Sequence, residues 1–315
     1  MNNLKKIVLT ALSGALVSVS ANAAELSVTG GASIGFTGQE QQTTGNGWSM
    51  NDGITFSASQ EMDNGWTVST SMVFDSSDTA AGAGMDTRIL TIDMGDSGTF
   101  TFSGDGGSGV LSAMDDKRPT AYEESWDIIT GADTNVPGGP SSNNMMHYSN
   151  SSLMDGVTVS AAYIPSDGTT QVESSADYGI TYTGIDGLTV GAGAGENNAA
   201  AASVDITNVY ATYAIDAFTI GVQASESDSE TASADVDFSA YGVSYAVSED
   251  LSLSIGMSTL DFEDTSKSDQ DATGISMSYT MGSMTLSAAH NSVDNIGGTN
   301  DADRSGYDLS LAFAF

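Results

Sequence analysis

The sequence predicts an all-β fold: a 16-stranded antiparallel transmembrane β-barrel whose long third extracellular loop folds into the pore. Three observations carry the prediction. Short runs of alternating apolar and small polar residues recur along nearly the whole chain, as strands with one oily and one wettable face require. The connections between runs alternate strictly between tight turns and long polar segments. One connection, 104–142, is far longer than the rest and shows no strand period. A structureless stretch of that length inside a compact fold is uncommon and usually functional.

The chain opens with Lys5 and Lys6, an apolar core over 7–19 and the small-residue run Ala21-Asn22-Ala23. That is the pattern of a cleaved signal peptide, and the apolar core is too short to span a bilayer. The expected division is 1–23 as leader and 24–315 as a single barrel, with 104–142 as its constriction loop.

The first mature strand places Leu26, Val28, Ala32, Ile34 and Phe36 on one face and Ser27, Thr29, Gly31, Ser33 and Gly35 on the other. The strands 54–62 and 66–75 follow, joined at Asp63-Asn64-Gly65. Next come 86–94 and 98–103, joined at Gly95-Asp96-Ser97. Beyond the long loop, 143–150 and 157–164 turn at Asp155-Gly156, and 176–183 and 188–195 turn at Gly184-Ile185-Asp186-Gly187. The remaining pairs are 204–215 with 218–225, 235–247 with 251–260, and 272–281 with 284–293, before a last strand over 304–315. Gly-, Asn- and Asp-rich turns fit these hairpins. The long connections are 38–51, 76–85, the third loop, 165–175, 196–203, 226–234, 261–271 and 294–303, and they carry much of the acid. An even strand count with short turns at one end and long loops at the other is the pattern of a membrane barrel. Leu251, Leu253, Ile255 and Met257 are read as facing lipid, and Ser252, Ser254, Gly256 and Ser258 as facing the lumen. Trp66, Tyr163, Phe218 and Tyr307 are expected at the membrane interfaces.

Composition narrows the function. Asp and Glu number 41 against 7 Lys and Arg, for a net charge of −34. Nucleic acid and anionic surfaces are poor partners for such a chain, and cations are favoured. Cys is 0, so stability must come from size, metal or closure of the sheet. Beyond the leader only Arg88, Lys117, Arg118, Lys267 and Arg304 are basic.

The last strand alternates Tyr307, Leu309, Leu311, Phe313 and Phe315 with Asp308, Ser310, Ala312 and Ala314. This run resembles the terminal signal by which Gram-negative outer-membrane proteins are recognised for barrel assembly, with Tyr307, Phe313 and Phe315 as its marks. Together with the leader, the opening strand and the long third loop, it makes the whole mature chain resemble the general porins, most closely the alphaproteobacterial type. The resemblance implies a homotrimer of barrels in the outer membrane, in contact with its lipid and lipopolysaccharide, each pore constricted by the third loop.

By the same resemblance, the loop offers Asp105, Asp115, Asp116, Glu123, Glu124 and Asp127 to the constriction. Lys117 and Arg118 lie on the loop itself, and Arg304 shares the inward face with Asp308. The family sets such acids against a basic cluster on the wall. This chain has too few basic residues for one, which leaves a one-sided field that favours cations. Arg88 shares a parity with outward-facing Leu90 and Ile92, which puts it at an interface, a strand end or a bulge.

Asp228 with Glu230, Asp261 with Glu263 and Asp264, and Asp301 with Asp303 supply clustered hard oxygens of the kind calcium takes, without EF-hand spacing. No cofactor is required, and calcium is the one these clusters admit. His147 and His290 stand in strands without a nucleophile or HExxH context, so no enzyme is expected. The run Gly191-Ala192-Gly193-Ala194-Gly195 is followed by no Lys and no helical pattern, and reads as small lumen-facing residues. The expected function is passive diffusion of small hydrophilic solutes and cations. The alternatives are a substrate-specific channel, for which inward Tyr210 is the one hint, and a secreted calcium-dependent β protein for adhesion or a surface layer.

Overall fold

The computed structural model describes residues 24–41, 47–75, 87–132, 139–140, 143–168, 171, 173–198, 203–231 and 234–315. The expected leader and the connection 76–85 lie outside them. Sixteen strands close into one barrel. In chain order they are β1 (Glu25–Gln39), β2 (Trp48–Glu61), β3 (Thr67–Asp75), β4 (Thr87–Asp93), β5 (Thr99–Asp105), β6 (Met145–Met154), β7 (Val157–Ile164) and β8 (Ser175–Ile185). Then follow β9 (Leu188–Asn197), β10 (Val204–Ile215), β11 (Phe218–Ser229), β12 (Val236–Ala246), β13 (Leu251–Phe262), β14 (Gln270–Met281), β15 (Met284–Asp294) and β16 (Arg304–Ala314). Each strand pairs antiparallel with its neighbours in sequence, and β16 pairs with β1.

Closure is completed by the last residue. Gly30 and Phe315 exchange both backbone hydrogen bonds, at 2.7 and 2.9 Å. No strand of the closed sheet is left with a free edge, which hydrocarbon could not satisfy.

The alternation read from sequence places large apolar side chains on the outer surface. Leu253, Ile255 and Met257 are exposed there, as are Ile220, Ile275 and Leu309. Aromatic residues gather towards the strand ends. Phe218 stacks on Tyr245 with centroids 4.5 Å apart beside a short turn, and Phe36 meets Trp48 at 4.9 Å beside a long connection.

Several boundaries differ from expectation. β1 and β2 extend into the expected connection 38–51, because Trp48 and Met50 continue the outward parity of Ile54 and Phe56 through Asn51-Asp52-Gly53. The turn between β8 and β9 holds two residues rather than four; Gly187 takes φ +74°, where a side chain would be strained. Arg88 sits at a register shift between β4 and β5, beside a bulge. β11 and β13 run on through Asp228 and Asp261, which therefore belong to strands and not to loops.

In those extensions the sense of the alternation reverses. On the long-loop half of β12 to β15, Phe238, Leu260, Phe262, Ala272 and Val293 are buried. The alternate residues Asp237, Asp261, Asp271 and Asp294 are exposed. The period is unbroken, but the apolar face has changed sides.

The lipid-facing assignment of β13 is testable. Ile255→Arg should destabilise the barrel by about 2–4 kcal/mol if the site lies near the bilayer midplane. Ser252→Arg, three residues away on the other face and clear of the loop contacts, should cost much less. Urea unfolding in lipid vesicles reads both, and equal costs would overturn the facing.

Candidate functional site

The third loop leaves β5 through Gly106, at φ +67°. Its stretch 106–132 contacts strands from β6 round to β16 and β1. One segment can reach so many strands of a closed barrel only from the inside.

A row of glycines makes its seat. Gly221, Gly242, Gly256 and Gly274 are direct cross-strand partners on β11, β12, β13 and β14. The row continues through Asn291 and Gly306 to Gln39. A Cβ on Gly242 would stand 2.9 Å from the Pro119 carbonyl, and one on Gly274 2.7 Å from Ser125 Cα. Gly179 and Gly193, partnered across β8 and β9, serve the first arm in the same way. A Cβ there would meet Met114 and Leu111 at 2.6 and 2.9 Å. The loop backbone comes closest to the wall at these glycines.

Two apolar clusters hold it down. Val110 and Met114 pack with Met145, Ala162, Ile164 and Tyr210, and Trp126 and Ile129 with Phe238, Ala240, Leu260, Phe262, Ala272 and Val293. Burying each large side chain is worth about 1.5–3 kcal/mol. Polar pins then fix the position, each contributing about 0.5–1.5 kcal/mol net. Asn208 Nδ2 donates to Met114 O at 3.0 Å. Gln223 donates to the same carbonyl at 3.0 Å and accepts from Lys117 N–H at 3.1 Å. Ser254 and Ser276 accept from Ala121 and Tyr122 N–H at 2.9 and 3.0 Å, and Asn291 Nδ2 donates to Glu124 O at 2.6 Å. Gln39 accepts from Thr130 N–H at 2.9 Å, and Arg304 donates to Thr130 O at 2.6 Å.

The structure divides the expected constriction residues into groups. Arg118 and Glu124 form an ion pair away from water, 4% and 7% exposed. The Arg118 guanidinium also lies 4.1 Å from the Trp126 ring centroid and donates to Ser125 Oγ at 3.0 Å. Lys117 Nζ reaches within 6.0 Å of the Tyr210 ring. Asp105 pairs with Arg88 at 2.5 Å at the end of β4 and β5. Arg304 holds the loop backbone and keeps its charge. Asp116 and Asp127 are exposed, and Asp115 and Glu123 are half-buried. Asp308 joins them from β16, accepting from Tyr122 Oη at 2.8 Å and Thr37 Oγ1 at 2.5 Å.

Crowding shows in their protonation. Burial first and Asp116 second push Asp115 up to about 6. Burial, then Asp116, push Asp127 up to about 6 against the pull of Arg118. Burial also raises Glu123, with Asp127 and Asp308 adding to the rise. Arg118 is lowered to about 10 by burial, opposed by Asp127 and Asp116, and stays charged at neutral pH.

The loop contacts given above fall on β6 to β16 and β1, and the strands β2 to β5 stand opposite. By parity their inner faces carry Thr55, Ser57, Ser59, Thr67, Ser69, Ser71, Thr91, Thr99 and Thr101, together with Glu61, Asp75 and Asp93. Thr91 and Thr101 hydroxyls are 3.5 Å apart. Among the described inward residues of these strands there is no Lys or Arg.

Other expected residues fall elsewhere. Tyr210 is buried beneath the loop, 7% exposed, with Gly191 behind its ring. Asp264 accepts from Ser266 N–H and Oγ at 3.0 and 2.7 Å, Asp301 from Asn300 at 2.8 Å, and Asp303 from Asn295 N–H at 3.0 Å. Among the described residues no three carboxylates or histidines gather as a metal site. Tyr307 and Phe313 are exposed on the outer face of β16, and Phe315 ends it. Sequence reasoning missed the glycine row and the inward apolar residues Phe238, Leu260 and Val293. The reversal of alternation within single strands was the available signal.

A family model of Gram-negative porins matches residues 8–272. Comparison with curated proteins gave no match. Among solved structures, an anion-selective porin from Comamonas acidovorans superposes with a TM-score of 0.72 at 11% identity, covering 93% of this chain and 100% of that one. OmpT, an outer membrane protein of Vibrio cholerae, gives 0.70 at 15%, covering 94% and 99%. A mutant of the Rh. blastica porin gives 0.66 at 15%, covering 92% and 100%. The likeness is spread over these sources and does not single out the alphaproteobacterial type. The closed barrel, its oily exterior and the family match over most of its length lead to one assignment: the chain belongs to the Gram-negative porins of the outer membrane.

Proposed function

We propose that this porin passes small hydrophilic solutes and ions by passive diffusion and favours cations. The third loop narrows the lumen by lying along one wall. The observation that supports the sign of selectivity is the excess of acid around the remaining space. Asp115, Asp116, Glu123, Asp127 and Asp308 stand on the loop side, and the wall of β2 to β5, which adds Glu61, Asp75 and Asp93 to its hydroxyls, stands on the other. Arg118 is withdrawn behind the loop, where its pull on Asp127 is outweighed by burial and Asp116, and Arg88 lies over Gly104 at the strand end, which leaves Lys117 and Arg304 against five acids on the loop side. Acidic linings favour cations and repel anions. One of the similar barrels is an anion-selective porin, so the fold leaves the sign to the charges it carries. No chemistry is performed, and calcium is not a required part of the function.

The working unit is a homotrimer. A similar solved structure is described as a trimer form, and the exposed apolar outer face suits contact with lipid and with further copies of the chain. The C-terminal strand serves the barrel-assembly machinery, since it is the strand that closes the sheet.

Planar-bilayer recording of detergent-extracted protein under a salt gradient tests this reading. Conductance steps in threes with a cation-selective reversal potential are expected. Anion selectivity would discard the charge argument, and an absence of conductance from folded protein would discard the pore. Neutralising Asp115, Asp116, Glu123 and Asp127 to Asn or Gln should lower the cation preference by roughly tenfold, since one unit charge at 4 Å is worth about 1 kcal/mol even in bulk water. Glu124 should be left intact, because removing one partner of a buried ion pair costs about 3–5 kcal/mol.

The reversal potential should also follow pH. Asp115 and Asp127 are charged above about 6 and neutral below it. Cation preference is therefore present at pH 7.5 and declines as pH falls to 5. A flat profile over that range would place the selecting charges elsewhere.

A further inference from the structure

The two arms of the third loop meet over one side chain. Asp177, on the inner face of β8, is 1% exposed. Its Oδ2 accepts a hydrogen bond from Leu111 N–H, on the first arm, at 2.9 Å. Two glycines, one from each arm, lie against the same oxygen. A Cβ on Gly109 would stand 2.5 Å from Oδ2, and one on Gly139 2.8 Å. The arms are tied to each other at this point. Gly109 N–H donates to Pro140 O at 3.1 Å, and Ser112 Oγ donates to Gly139 O at 2.8 Å.

Within the sheet the titratable neighbour of Asp177 is His147, two strands away in the same cross-strand row. The cross-strand neighbours of Asp177 are Ala162 and Gly195, which offer it no polar side chain. Burying such a group is costly unless it is hydrogen-bonded, and the bond it makes is to the loop. A carboxylate accepting from a backbone N–H is roughly twice as strong as a neutral pair. The amides of Asn208, Gln223 and Asn291 hold the middle of the loop. Asp177 touches both ends.

We infer that Asp177 anchors both feet of the loop to the wall. It is a positioning residue for the constriction, acting through the loop and touching no solute. The inference rests on the reading of the loop as the constriction.

Two variants test it in full-length protein, each first checked for an intact barrel by heat-dependent gel mobility. Asp177→Ala removes the anchor. Gly109→Val keeps the carboxylate and forces a side chain against its Oδ2. Both should show a wider spread of single-channel conductance and a loss of cation preference relative to the unmodified barrel, and Asp177→Asn, which keeps an oxygen for Leu111 N–H, should lie between. Unchanged conductance and reversal potential in folded Asp177→Ala would overturn the assignment. Amide exchange at Leu111 reads the anchor without any current. Faster exchange in Asp177→Ala supports it, and unchanged exchange sinks it, even for a barrel that conducts nothing.

Discussion

Hydrocarbon offers a peptide group no hydrogen-bond partner, and the architecture follows from that constraint. Each unpaired backbone group costs several kcal/mol in lipid. A sheet meets the demand only by closing, and here closure reaches the final residue, whose amide and carbonyl both bond to Gly30. Once the sheet is closed, every strand has an outside and an inside. Two-residue periodicity then becomes a division between oil and water. The exposed Leu253, Ile255 and Met257 and the inward Ser254, Gly256 and Ser258 are the two halves of one strand.

The same division leaves the interior without a hydrophobic core in the usual sense. The two buried apolar clusters among the described residues lie between the loop and the wall. The loop thus supplies the core that the barrel lacks, and in return the barrel supplies a row of glycines against which the loop backbone can lie. Burial of Trp126 and Ile129 decides that the segment stays. The glycine row and the amide pins decide how close to the wall it lies, and so how much of the lumen it leaves open. Charge is sorted by the same packing. Arg118 and Glu124 neutralise each other underneath, while Asp116 and Asp127 remain in water.

Much of this was legible before any coordinates. The strand count, the order of short and long connections and the outward faces follow from periodicity, because a strand's pattern is local. The bulge at Arg88 was also legible as a parity conflict. The loop was harder. Its residues have no period, so the resemblance could offer Asp105, Glu124 and Arg118 to the constriction but could not say that one is tied to Arg88 and the other two to each other. Asp177 carried no sequence signal at all, since an Asp on an inward position of a strand is what an aqueous lumen predicts. Its role depends on contacts between residues far apart in the chain.

The reversal of alternation on β12 to β15 marks a waterline on the chain. Between Tyr241 and Asp237, between Met257 and Asp261, and between Ile275 and Asp271, the outer face changes from oily to charged within four residues. At about 3.3 Å per residue this is roughly 13 Å of strand. Below the line the wall is inside out, with solvent within and lipid without. Above it, Phe238, Leu260 and Val293 pack inward against Trp126 and Ile129 while carboxylates face out, the arrangement of any water-soluble β-protein. A single strand belongs to both kinds of protein, and the loop is bound by the half that would fold the same way in water.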